Sequence, residues 1–141
     1  MRKLLTSIYF CCILLLRLNL IKEKNMKVYQ CEKCKKVIVS KDALVCEGWV
    51  ELIPSSTDAS VEKHVPVVTK KCKQVKVDVG SVAHPMTEEH LIEWVLLETE
   101  QGYQIKYLTA GSEPVVNFSL ADGDKMVNVY AYCNLHGLWK N

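Results

Sequence analysis

The chain has 141 residues, enough for one ordinary domain or two small ones. With 49% hydrophobic and 24% charged residues and few glycines and prolines, its composition is globular, which excludes a disordered, collagen-like or low-complexity protein. The first 25 residues hold five basic side chains and one acid, so the formal charge of +2 leaves a net −2 for the rest and no basic stripe to bind nucleic acid.

Residues 1–25 open with Arg2 and Lys3 and continue into an apolar run, the pattern of a signal peptide or a membrane anchor. The stretch Leu4–Leu16 is short for a transmembrane span, Arg17 interrupts it, and no small-x-small cleavage site follows. The preferred reading is that Met26 is the true start and the preceding residues are an artefact of start-site choice; an anchor or a signal are the alternatives. For residues 26–141 no stable membrane association is expected.

Residues 26–54 read as a compact block with three cysteines, and 55–60 (Ser-Ser-Thr-Asp-Ala-Ser) as a polar linker. Residues 61–141 are strand-rich. Val65/Val67 and Val75/Val77/Val79 alternate with polar neighbours, as half-buried strands do. Leu91–Thr99 and Tyr103–Leu108 flank Glu100-Gln101-Gly102, a hairpin turn, and Pro114–Leu120 and Met126–Cys133 are two more strands. In the last, Val127, Val129, Ala131 and Cys133 are expected on one face. No long stretch shows helical period. Many short strands at close spacing predict an all-β, antiparallel sandwich.

Seven cysteines form no even, regular disulfide framework. Cys31 and Cys34 make a C-x-x-C pair, and Cys133 stands three residues before His136; both spacings suit metal ligation, and ligating thiolates favour a reducing, cytoplasmic compartment. The four histidines, His64, His84, His90 and His136, all lie in the second block, at strand edges or in loops. Loops of a β-sandwich gather at its two ends, so these side chains can converge. A thiolate with several imidazoles is a transition-metal set that iron, copper, zinc and nickel all accept.

The sequences around these residues narrow the choice. Glu62-Lys63-His64-Val65-Pro66, then His84-Pro85-Met86-Thr87-Glu88-Glu89-His90 with Ile92-Glu93-Trp94, then Cys133-Asn134-Leu135-His136-Gly137-Leu138-Trp139 resemble, in order and separation, three motifs of desulfoferrodoxins and superoxide reductases. The resemblance covers residues 26–141 and implies an immunoglobulin-like sandwich behind a small desulforedoxin-like domain. It implies one mononuclear iron, with His64, His84, His90 and His136 as equatorial ligands and Cys133 as the axial one. It also implies reduction of superoxide to hydrogen peroxide with electrons from a rubredoxin-like donor, and a homodimer. Lys63 would steer superoxide, and Glu62 would cover the open position of the ferric site. The bulky Trp94, Trp139, Tyr130 and Tyr132 are expected to pack around the site.

In the first block, Leu44-Val45-Cys46-Glu47-Gly48 has glutamate where the resemblance calls for a fourth cysteine. A second site built on Cys31, Cys34 and Cys46 is therefore either empty, completed for iron or zinc by Glu47 or water, or completed by a partner chain or Cys72. A non-enzymatic electron-transfer protein, such as a blue-copper sandwich, is the main alternative. It lacks the methionine such a site needs after His136 and has too many histidines.

Overall fold

The structure, a computed structural model, describes residues 26–141, and the N-terminal segment 1–25 lies outside the described residues. Among the described residues, ten strands and one helical turn follow in chain order: β1 (Lys27–Cys31), β2 (Val37–Ser40), β3 (Trp49–Leu52), α1 (Val61–His64), β4 (Pro66–Lys71), β5 (Gln74–Val79), β6 (Ile92–Thr99), β7 (Tyr103–Tyr107), β8 (Val115–Ser119), β9 (Met126–Cys133) and β10 (Gly137–Lys140). Two compact units divide between Trp49 and Val50, within β3. Among the described residues no helix is long and apolar enough to cross a membrane.

β1, β2 and β3 form a three-stranded sheet of order β2-β1-β3. The Tyr29 hydroxyl accepts the Leu44 amide at 3.0 Å and ties down the loop before Cys46.

The second unit is the sandwich expected from the alternation. Sheets β4-β5-β8 and β10-β9-β6-β7 are antiparallel throughout. Seven strands in layers of three and four are the arrangement of an immunoglobulin-type domain. Val75, Val77 and Val79 of β5 and Val116 and Phe118 of β8 face Ile92, Val95 and Leu97 of β6 and Val129, Ala131 and Cys133 of β9. Removing each of the valine, leucine, isoleucine and phenylalanine side chains from water contributes roughly 1.5–3 kcal/mol, which is why the alternation fixes the layering.

Two irregularities shift faces in a way that simple alternation does not anticipate. Between Ile92/Cys133 and Trp94/Tyr132 the register slips, leaving Glu93 as an extra residue. Ile92 and Val95 thereby both face the core, while Trp94 turns to the other side and stacks on Tyr132 (5.2 Å, 5°). A second slip at Val127 brings Met126 against the core and leaves Val127 42% exposed, so Val127 does not share the face of Val129. The chain also continues past His136 into β10, which pairs with β9 from Gly137↔Cys133 to Lys140↔Tyr130.

Candidate metal centre

Antiparallel pairing brings one end of the sandwich together. β4 begins opposite the end of β5 (Pro66↔Val79), β6 begins opposite the end of β9 (Ile92↔Cys133), and β10 begins there too (Gly137↔Cys133). Every histidine of the chain sits in a segment that enters or leaves these strands.

His64 closes α1, a single turn held by the Val65 amide on the Val61 carbonyl (3.0 Å). Pro66 disfavours helical geometry at Val65, which is extended (ψ 123°), so the turn stops there. The 80–82 segment braces it: Gly80 donates to the Val65 carbonyl (3.1 Å), and Val82 donates to that of Glu62 (3.0 Å). His84 and His90 come from the β5–β6 loop. The latter closes a turn in which its amide and that of Thr87 bond each other's carbonyls, and Thr87 Oγ1 also accepts the His90 amide (3.2 Å). Cys133 ends β9, and His136 lies in the β9–β10 turn.

The ligand atoms of His64, His84, His90, Cys133 and His136 all lie within 4.8 Å of one another. The rings form a four-sided pinwheel. Neighbouring centroids are 4.7 Å (His64–His84), 4.5 Å (His84–His90), 4.9 Å (His90–His136) and 4.7 Å (His64–His136) apart, with planes inclined by 73–82°. The His64–His90 diagonal is 6.3 Å. Thus the five residues singled out as ligands are brought together by the fold.

The hydrogen bonds say which nitrogens face inward. The Nδ1–H of His64 donates to the Ser60 carbonyl (2.7 Å) and that of His84 to the Pro85 carbonyl (2.6 Å), which leaves Nε2 of each with its lone pair for a metal. Nε2 of His84 and of His90 are buried with no hydrogen-bond partner, an expensive state unless an ion completes them. His136 turns Nδ1 inward, 3.0 Å from His64 Nε2 and 3.6 Å from Cys133 Sγ. Two nitrogens each about 2.1 Å from one ion at a right angle lie about 3 Å apart, so the His64–His136 approach suits shared ligation.

Burial orients the cluster. Cys133 is fully buried in the core, whereas His90 and His136 are half-buried, so the sulfur lies on the inner side and the free side faces outward. Burial lowers the histidine pKa of His64 and His90 and takes that of His84 down to about 4, so the rings are neutral and able to ligate. Burial raises the Cys133 thiol; metal binding must displace its proton.

Several residues that hold the site carry no sequence signal of ligation. Asn134 accepts the Leu91 amide at Oδ1 (3.1 Å) and donates from Nδ2 to the Glu89 carbonyl (3.0 Å), clamping the His90 segment to the residue after Cys133. Trp139 donates from Nε1 to the His136 carbonyl (3.1 Å) and lies flat on His64 (4.8 Å, 23°). Of the four aromatics expected around the site, Trp139 is there. Trp94, Tyr132 and Tyr130 lie on the far face of their sheet, where the Tyr130 hydroxyl donates to buried Glu98 (3.0 Å). Ser60 and Pro85 act through carbonyls that any residue would supply. Only the amide beside Cys133 offered a side-chain clue. Segment 55–60, expected to be a linker, supplies the Ser60 contact, and Ser55 donates to the Leu138 carbonyl (2.7 Å).

Glu62 and Lys63 sit on α1 immediately before His64, exposed and half-buried respectively. The Lys63 charge is felt at His90 as well as at His64. In the first unit the Cys31 pKa is lowered, chiefly by hydrogen bonding from Cys34, with the Lys33 charge adding to it. All five described cysteines are free.

Comparison with known proteins agrees with this centre. The Desulfoferrodoxin family model matches residues 56–141. A desulfoferrodoxin homolog of Archaeoglobus fulgidus is 39% identical over 122 residues, covering 82% of this chain and 96% of that protein. A desulfoferrodoxin of Nitratidesulfovibrio vulgaris is 42% identical over 120 residues, covering 81% and 94%. Among solved structures, the superoxide reductase from Treponema pallidum is similar at 37% identity and a TM-score of 0.73, covering 83% of this chain and 98% of that one. Sandwich, ligand cluster and these relatives together place the chain in the desulfoferrodoxin family.

Proposed function

We propose that the protein is a superoxide reductase, converting superoxide to hydrogen peroxide at one iron held by His64, His84, His90, His136 and Cys133. The observation that carries this reading is the pinwheel of four imidazoles with the thiol on its buried side, their ligand atoms within 4.8 Å. Bound there, iron would supply the single electron that superoxide needs.

The chain's own residues account for the rest. Neutral imidazoles contribute no negative charge, so with iron bound the pocket would keep a positive potential that draws an anion. Carbonyls of Ser60 and Pro85 hold the inward nitrogens of His64 and His84 in place. Packing around Cys133 keeps water from the sulfur side and leaves the outward side for substrate. Lys63 steers superoxide to that side and stabilises the anionic product until solvent protons convert it to hydrogen peroxide. Glu62, on the same turn, covers the outward side between turnovers. A rubredoxin-like protein is the proposed electron donor, a homodimer the proposed assembly and the reducing cytoplasm the proposed location, which suits five free cysteines. The first unit is proposed to carry no second iron or zinc, since Glu47 replaces a fourth thiol.

The test is to express residues 26–141, count metals and follow superoxide with a defined reductant. Expected are one iron per chain, an absorption band of ferric thiolate that bleaches on reduction and is lost in Cys133→Ser, and one reducing equivalent consumed per superoxide. A zinc-only protein, a band that persists in Cys133→Ser, or superoxide removal without reductant would overturn the proposal.

A further inference from the structure

The first unit carries chemistry that the proposed reductase reaction does not use. Between β1 and β2 the chain makes a tight turn: the Lys35 amide donates to the Cys31 carbonyl (3.0 Å), the Cys31 amide donates to the Lys36 carbonyl (2.9 Å), and Lys35 takes φ of 59°. Cys31 and Cys34 are the first and fourth residues of this turn, and a turn of this tightness holds such Cα atoms within about 7 Å, which is the span a disulfide bridges. Hydrogen bonding from Cys34, with the Lys33 charge, also lowers the Cys31 pKa.

Access is also present. Cys34 is exposed, and Cys31 lines an open depression of about 400 Å³ together with Glu32, Lys33, Glu47, Gly48 and Trp49. Cys46 is exposed, and among the described residues the ligand cluster of His64, His84, His90, Cys133 and His136 has no counterpart that unites Cys46 with the pair. The turn therefore presents two free thiols three residues apart, beside a lysine, at the surface.

We propose that Cys31 and Cys34 form a second redox site, a dithiol that hydrogen peroxide oxidises to an intramolecular disulfide. The Cys31 thiolate attacks one peroxide oxygen; an S–O bond forms, the O–O bond breaks, and the departing hydroxide takes a proton to become water. The Cys34 sulfur then attacks the Cys31 sulfenic acid. An S–S bond forms, the S–O bond breaks, and hydroxide leaves as a second water with the Cys34 proton. Two thiols and one peroxide give one disulfide and two waters, each sulfur losing one electron. The idea that the protein generates this peroxide itself rests on the reductase reading above; the dithiol reaction does not.

The experiment uses the full chain in its ferric form, with thiols freshly reduced and reductant removed. One equivalent of hydrogen peroxide is added, remaining thiols are alkylated at intervals, and each cysteine is followed by peptide mass spectrometry. Cys72, exposed in the β4–β5 turn, is the internal control. Cys31 and Cys34 should become joined, with loss of two hydrogens, about tenfold faster than Cys72 is modified. Cys34→Ser should instead accumulate a Cys31 sulfenic acid that a dione reagent captures. Oxidation of Cys31 no faster than Cys72, a bridge from Cys31 to Cys46 in place of Cys34, or no sulfenic acid in Cys34→Ser would overturn the proposal. Because peroxide is added directly, this result is independent of whether superoxide is turned over.

Discussion

Substituting Gly80 by alanine tests how the ligand-bearing turn is held. Gly80 has φ of 82°, and a Cβ there would lie 2.5 Å from the Val82 carbonyl oxygen, 2.6 Å from the Lys63 carbonyl oxygen and 2.7 Å from the Lys63 carbonyl carbon. All three are backbone atoms, so no rotamer change relieves the clash and α1 must move away from the 80–82 segment. The left-handed backbone costs alanine about 1–2 kcal/mol, and forced overpacking about 1–3 kcal/mol more. A loss of about 2–5 kcal/mol is a large share of the roughly 5–15 kcal/mol typical of a domain. At about 4–8 °C per kcal/mol for a unit of this size, Tm should fall by at least about 8 °C.

Two controls separate the contributions. Gly123 has φ of 79° but nothing within 4 Å of an added Cβ, so Gly123→Ala should show the backbone cost alone. At Gly102 an added Cβ also meets nothing within 4 Å, and Gly102→Ala should be neutral or slightly stabilising. The assay is thermal unfolding by circular dichroism, with metal content measured on each variant. Displacement of His64 should also weaken metal retention in Gly80→Ala and in neither control. Equal Tm values for Gly80→Ala and Gly123→Ala, with full metal in both, would refute the reasoning.

Asn134→Ala should remove the clamp on the His90 segment, costing about 1–3 kcal/mol and weakening metal affinity about 10–100-fold, measured by chelator competition; full affinity would show that the clamp is dispensable. Lys63→Gln should leave metal content unchanged while lowering the second-order rate with superoxide and flattening its dependence on ionic strength, checked by pulse radiolysis. The metal-free protein should lose stability in acid. His84 takes up its proton at about 4 when folded, against 6.5 as its ordinary value, so above about 6.5 the ring is neutral in both states. As pH falls from there to about 4 only the unfolded chain gains the proton, which removes stability on the order of 3 kcal/mol. His64 and His90 shift in the same direction, and denaturant unfolding across that range should show midpoints that fall with pH.

The chemistry of the centre was legible in the chain because ligands are side chains, and side chains are what a sequence records. His64, His84, His90, Cys133 and His136 were identifiable by type and by the local patterns around them, and the succession of short, closely spaced strands was enough to anticipate a sandwich. What the sequence could not carry was anything settled by backbone atoms or by register. The carbonyls of Ser60 and Pro85 orient two ligands through groups common to every residue. The slips at Glu93 and Val127 invert the faces of Trp94, Met126 and Val127, because one extra residue in a strand of period two reverses all that follows. Tertiary structure alone decided that Nδ1 of His136 and Nε2 of the other histidines turn inward, and that the sulfur lies on the core side. Those directions depend on where distant strands meet, and residue order fixes that only through the packing of the whole sandwich.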